Sequence, residues 1–163
     1  LSKKNTNIAI IGGGDGGVAR ECLENNAEYI DWYELDPEIV ESCYRHLPKV
    51  CSKVKQSNRV NTYWGDAFES IRLIEDSKYD KIFVDLNDDQ YCIDLARKNM
   101  KGLKRILKQG GVITAQVGSI DKKPKQVENW CKVLDKSFGN VKVSGVHIPS
   151  FDCNWSFASS IMK

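Results

Sequence analysis

A chain of 163 residues with 41% hydrophobic and 28% charged residues has the size and make-up of one globular domain with a substantial core. A net charge of +2 gives no case for nucleic acid or a membrane surface as partner, and no apolar run comes near the ~18 residues that cross a bilayer. The six cysteines are scattered without a Cys-x-x-Cys pair; with no secretory leader in view they read as reduced thiols of a cytoplasmic protein, and neither a zinc site nor any other metal is expected.

The first expected element is a strand over 8–11. It feeds the run Gly12-Gly13-Gly14-Asp15-Gly16-Gly17 and then a helix over 17–25. Strand, glycine turn and helix N-terminus form the layout in which backbone N–H groups meet a nucleotide-like ligand. Gly12, Gly14 and Gly17 fit G-x-G-x-x-G, a weak signal alone. Asp15 sharpens it: a carboxylate inside the loop repels a pyrophosphate and favours a cation, so a positively charged nucleoside such as a sulfonium fits better than a dinucleotide. A second strand over 29–33 ends at Glu34, 20 residues after Gly14, the usual offset for an acid that accepts ribose hydroxyl bonds. Asp36 and Pro37 then open a helix over 37–46. A third strand over 59–63 leads into Gly65-Asp66-Ala67-Phe68. Asp66 can accept from an exocyclic adenine amine, with the Ala67 backbone reading the ring edge, or it can cap a helix over 67–75; its two oxygens allow both.

The fourth strand, 81–85, runs into Asp85-Leu86-Asn87-Asp88-Asp89, three carboxylates in five residues. Their mutual repulsion requires a cation or raised pKa values. Either the segment is a solvated turn with a helix cap, or it is an amine site where an acid holds an ammonium and takes its proton as the nitrogen becomes nucleophilic. A helix over 91–108 with a basic, solvated outer face is expected to end at Gly110-Gly111. A buried strand over 112–117 follows, with Gln116 near its end. Pro124 opens a helix over 124–138. Strands over 141–148 and 155–161 share a short link and are expected to pair as an antiparallel hairpin. His46, near a helix C-terminus, and His147, at a strand end, read as structural. No Ser-His-Asp order, P-loop or His/Cys metal spacing is present.

This alternation of strands and helices implies an α/β fold: a Rossmann-like, mainly parallel, seven-stranded sheet with helices on both faces and an antiparallel C-terminal hairpin. Ligands of such sheets bind beyond the carboxyl ends of the strands. Asp15, Glu34, Asp66, Asp85, Asp88 and Gln116 would then gather along one edge.

On these residues the chain resembles the polyamine aminopropyltransferases, the spermidine and spermine synthases. The resemblance rests on Gly12-Gly13-Gly14-Asp15-Gly16-Gly17, Tyr33-Glu34-Leu35-Asp36, Gly65-Asp66-Ala67-Phe68, Tyr79-Asp80 through Val84-Asp85, and Gln116. The stretch His147-Ile148-Pro149-Ser150-Phe151 with Trp155 is closer to spermine and thermospermine members. The resemblance implies a methyltransferase-type fold, decarboxylated S-adenosylmethionine as co-substrate with no prosthetic group, a polyamine acceptor, and methylthioadenosine as by-product. It gives Glu34 the ribose, Asp66 the adenine and Asp15 the donor's amine end. Asp85 and Asp88 bind and deprotonate the attacking amine, with Gln116 and Asp15 beside them. Family members also carry an N-terminal β-rich domain that lends residues to the site and helps dimerise, so residues 1–163 are expected to be a single catalytic domain from a longer, homodimeric protein. The Asp85–Asp89 segment departs from the Asp-Ser-Ser-Asp-Pro of spermidine synthases. Two other readings stay open: a small-molecule methyltransferase, which must welcome a methionine carboxylate that Asp15 disfavours, and a catalytically silent paralogue or interaction domain. A nicotinamide dehydrogenase fits less well, because Asp15 sits where a pyrophosphate would lie.

Overall fold

The run Ile8-Ala9-Ile10-Ile11 is buried on both sides, as befits a central parallel strand with helices over each face. In the computed structural model, which describes residues 6–87 and 89–163, it forms the middle of β1 (Asn7–Gly12). The chain continues through α1 (Gly17–Glu24), β2 (Tyr29–Glu34), α2 (Pro37–His46), α3 (Pro48–Lys55), β3 (Val60–Trp64), α4 (Ala67–Ile71) and β4 (Tyr79–Asp85). It closes with α5 (Gln90–Ile106), β5 (Leu107–Ser119), α6 (Pro124–Phe138), β6 (Lys142–Ile148), a 3-10 turn at Pro149–Phe151 and β7 (Cys153–Ile161). Among the described residues these strands form one sheet in the order β3-β2-β1-β4-β5-β7-β6. The first five are parallel, and β7 runs antiparallel to both β5 and β6. The expected sheet and C-terminal hairpin are both present.

The strand order reverses between β1 and β4, because β1 leads outward to β2 and β3 while β4 leads the other way to β5. Such a reversal opens a crevice at the carboxyl ends. Gly12 and Asp85, the last residues of the two strands, are register partners there. The period-2 alternation of β1 sends Ala9 and Ile11 to one face and Ile8 and Ile10 to the other. On the first face α5 and α6 bury Ile93, Ala96, Met100, Leu103, Val127 and Trp130, at helical spacing, against Ile11, Ile82, Val84 and Ile113. On the second, α1, α2 and α3 bury Ala19, Leu23, Val40 and Val54 against Ile8, Ile10, Ile30 and Trp32. Each fully buried large aliphatic side chain contributes about 1.5–3 kcal/mol relative to exposure.

Two local expectations are corrected, and one helix stands where none was expected. The helix expected over 67–75 stops at Ile71. Arg105, on α5, donates to the Ile71 carbonyl at 2.8 Å and to the Ile74 carbonyl at 2.6 Å, and pairs with Asp76 at 2.5 Å, so a side chain distant in sequence ends the helix. Gly110 and Gly111 are not a helix C-cap: α5 ends at Ile106 and β5 starts at once. Gly110 N donates to Met162 O at 2.8 Å, and Met162 N returns a bond to Gly111 O at 2.8 Å. A Cβ on Gly111 would stand 3.0 Å from the Asp80 carbonyl, so the glycine allows a close strand approach. Helix α3 has no counterpart in the sequence reading. It buries only Cys51 and Val54 in eight residues, too little periodicity to stand out.

A polar cluster also lies inside the sheet. Asp31 is 3% exposed, and its carboxylate accepts from Lys78 Nζ at 2.7 Å, Tyr79 Oη at 2.7 Å and Asn61 Nδ2 at 3.2 Å. Burial pushes its pKa up, but these hydrogen bonds outweigh burial and hold it below the ordinary value. Tyr79 Oη spends its proton on Asp31, so Tyr33 donates to Tyr79 across 2.8 Å. Among the described residues no helix is long and apolar enough to cross a membrane.

Candidate functional site

The glycine run leaves β1 at the crevice and turns into α1. Gly12 has φ of +81°, and a Cβ there would lie 2.3 Å from the Asp85 carbonyl oxygen; glycine alone permits both the conformation and the approach. Gly13 N donates to that carbonyl at 2.9 Å, which ties the loop to the end of β4. Gly14 leaves space for Glu34, since a Cβ there would be 3.3 Å from Glu34 Oε2. Asp15 is exposed, and its Oδ1 accepts from Gly17 N at 2.8 Å, satisfying one of the orphan donors of the first turn of α1. Cys51 Sγ donates to the Asp15 carbonyl at 2.9 Å, so α3 steadies the loop from beneath.

The acids at the neighbouring strand ends are held just as locally. Glu34 is 7% exposed, and its Oε1 accepts from Asp36 N at 3.0 Å. Asp36 in turn caps α2 through Glu38 N at 2.9 Å. Asp66 caps α4, with Oδ1 accepting from Phe68 N at 2.8 Å; this engages one of its two oxygens. Asp89 caps α5 through Cys92 N at 2.8 Å, so the last acid of the Asp85–Asp89 run is structural. Asp85 has a strongly perturbed carboxyl. Burial first, then the nearby Asp15 and Glu34 charges, push its pKa up to about 6, within reach of general-base work near neutrality.

Two cavities open beside these residues. One, of about 680 Å³, is lined by Gly12, Gly13 and Gly14, with Glu34, Leu35, Ile39, Asp66, Ala67, Leu86 and Tyr91. The other, of about 1260 Å³, runs along the α1 side of the sheet and is lined by Phe83, Val146, Ile148, Phe151, Trp155 and Phe157, with Arg20 and Lys81 farther along. Asp15, Asp85 and Gln116 border both. The junction therefore carries two carboxylates and one neutral amide. Gln116 Nε2 donates to Leu86 O at 2.5 Å, and Gln116 Oε1 accepts from Trp155 Nε1 at 2.5 Å.

Of the residues singled out in the sequence, Gly12, Gly14, Asp15, Glu34, Asp66, Ala67, Asp85 and Gln116 meet around the smaller cavity, and Gly17 lines the larger. Asp88 lies outside the described residues. His46 and His147 are exposed and line neither cavity. The apolar walls were not foreseen. Trp155 and Phe157 fall in the strand expected over 155–161 with no wall role given to either, and the signal for Trp155 was the indole N–H, which needs a partner when partly buried. Among the described residues no group of three or more His, Cys, Asp or Glu side chains could hold a metal ion.

The family model described as the spermine/spermidine synthase domain matches residues 1–163. The chain is 34% identical to a polyamine aminopropyltransferase of Prochlorococcus marinus (strain NATL2A), across 94% of this chain and 55% of that protein. It is 26% identical to one from Korarchaeum cryptofilum (strain OPF8), across 93% and 47%. Among solved structures, a spermidine synthase in complex with the transition state analogue AdoDATO superposes with a TM-score of 0.87 at 21% identity, over 99% of this chain and 56% of that one. The spermidine synthase from Thermotoga maritima gives 0.86 at 21% identity, over 99% and 55%. The chain thus spans about half the length of the relatives it matches.

Proposed function

Because the chain belongs to the spermine/spermidine synthase domain family, we propose that it moves an aminopropyl group from decarboxylated S-adenosylmethionine to a polyamine amine and releases methylthioadenosine. The observation that carries this reading is the junction of two cavities at Asp15, Asp85 and Gln116. Both substrates are cations, and neither brings a carboxylate to the acidic border.

In this reading the nucleoside lies in the smaller cavity. Glu34 accepts from the ribose hydroxyls, and the second oxygen of Asp66 accepts from the adenine amine beside the Ala67 backbone. Asp15 pairs with the donor's free ammonium and opposes a methionine carboxylate, which argues against methyl transfer from S-adenosylmethionine. The acceptor lies in the larger cavity with its methylenes against Phe83, Phe157 and Trp155. Its reacting nitrogen faces Asp85, and Gln116 Oε1 accepts from the same amine with its remaining lone pair. The free amine is scarce because an aliphatic ammonium has a pKa near ~10. Asp85 takes the proton, the nitrogen lone pair attacks the carbon next to sulfur, and the C–S electron pair returns to sulfur, leaving a neutral thioether. Asp88 shares the amine site on the strength of its place in the chain, three residues beyond Asp85. No prosthetic group takes part, and the protein works as a cytoplasmic homodimer.

Donor choice tests the reading. Calorimetry with the intact protein should give tighter binding of decarboxylated S-adenosylmethionine than of S-adenosylmethionine, with Asp15→Asn narrowing the gap. Equal wild-type affinity for the two would favour a methyltransferase instead.

A further inference from the structure

The Asp85–Leu86 turn is gripped from both sides. The Asp85 carbonyl accepts from Gly13 N at 2.9 Å, and the Leu86 carbonyl accepts from Gln116 Nε2 at 2.5 Å. The other end of the same amide accepts the Trp155 indole N–H at 2.5 Å. An indole N–H only donates and a carbonyl only accepts, so the Gln116 amide has one orientation that satisfies both, and a flip would break both bonds at once. Trp155 is fixed in turn. Its ring packs on Phe151 with centroids 4.8 Å apart, and the Phe151 carbonyl accepts from Lys122 Nζ at 2.8 Å.

The backbone is built to make this link. Gln116 pairs with Phe157, but the register then shifts between Gln116 and Gly118, so that Trp155 pairs with Ser119. A bulge of this kind re-aims side chains beside a site. Here the indole of Trp155 reaches back along β5 to Gln116.

We infer that Trp155 is a positioning residue: acting through Gln116, it holds the Asp85–Leu86 turn and so aims the carboxylate that receives the amine. The inference rests on the aminopropyl-transfer reading for its kinetic consequence, and on the hydrogen-bond relay for its structural one. Trp155 also walls the acceptor cavity, so the surface that seats the acceptor is the one that orients its base.

The test compares wild type, Trp155→Phe, Gln116→Leu and the double variant in the intact protein. Trp155→Phe keeps an aromatic ring on the wall and removes the indole N–H together with part of the bicyclic ring. Its kcat should fall about tenfold, the scale of a misaimed catalytic group, while the methylthioadenosine Kd stays within about twofold. The double variant should lose no more than the worse single one, because both cut the same relay. Wild-type kcat in Trp155→Phe, or losses that multiply in the double variant, would overturn the inference. A second arm needs no turnover: Trp155→Phe should move the Leu86 carbonyl carbon resonance, and Gln116→Leu should move the Trp155 indole peak. Unmoved resonances overturn the relay even in an active enzyme. A wild type that releases no methylthioadenosine while both resonances move overturns the functional reading and leaves the relay standing.

Discussion

Replacing Asp15 by Asn removes a negative charge near Asp85 and keeps an oxygen to accept from Gly17 N, now 2.8 Å from Oδ1. Asp85 stands at about 6 against an ordinary 3.8, with burial the largest cause, Asp15 the second and Glu34 the third. The Asp15 charge therefore accounts for less than half of the rise. Asp15→Asn should lower the Asp85 midpoint by at most about one pH unit, equivalent to ~1.4 kcal/mol. The direction is fixed: with a like charge gone, the ionised carboxylate costs less and forms at lower pH. The assay is a carbon-detected NMR titration of the Asp85 carboxyl in both proteins. A wild-type midpoint near an ordinary ~4 would refute the buried, acid-flanked setting. A midpoint that stays put or rises in Asp15→Asn would refute the coupling between the two acids.

Asp85 also has a stability signature: its folded pKa lies above the unfolded one, so stability falls as pH rises from 3.8 to about 6 and stays lowered above that window. Asp85→Asn should therefore raise Tm by several degrees near pH 8, where relief is worth about 2–3 kcal/mol, and leave it unchanged near pH 3; equal melting at the higher pH would contradict this. Asp66→Ser should retain the α4 cap while Asp66→Ala loses about 1 kcal/mol by urea titration. Both should weaken methylthioadenosine binding about tenfold, the loss of one good hydrogen bond, and a Ser variant with wild-type affinity would remove Asp66 from the nucleoside site. Arg105→Ala removes the guanidinium from the Ile74 carbonyl and leaves the Ile71 carbonyl only its bond from Ile74 N at 3.2 Å, and should cost about 1–3 kcal/mol with methylthioadenosine affinity intact; an unchanged urea midpoint would show that another group ends α4.

What the sequence disclosed follows from how local each cause is. The β1 run, the glycine turn and the caps at Asp36, Asp66 and Asp89 are decided within a few residues, and periodicity with turn chemistry exposes them. The crevice follows from strand order, so the sequence alone gathers Asp15, Glu34, Asp66, Asp85 and Gln116 on one edge. Hidden features depend on partners far along the chain. Arg105 ends α4 from 34 residues beyond Ile71, and Met162 draws Gly110-Gly111 into the sheet. The Asp31–Tyr79–Tyr33 cluster assembles across β2 and β4. Trp155 reaches Gln116 only because β5 bulges beside Gly118, whose φ is +89°, and that glycine's signal falls just past the strand expected over 112–117.

The central claim is that an aminopropyl group is transferred at the Asp15–Asp85–Gln116 junction. The most direct measurement is methylthioadenosine release by the intact protein given decarboxylated S-adenosylmethionine and a panel of polyamines. The account predicts release matched one for one by an aminopropylated amine, and a fall of about 10²-fold in Asp85→Asn, the usual scale for loss of a general base. No release with any polyamine, or undiminished release from Asp85→Asn, would contradict it.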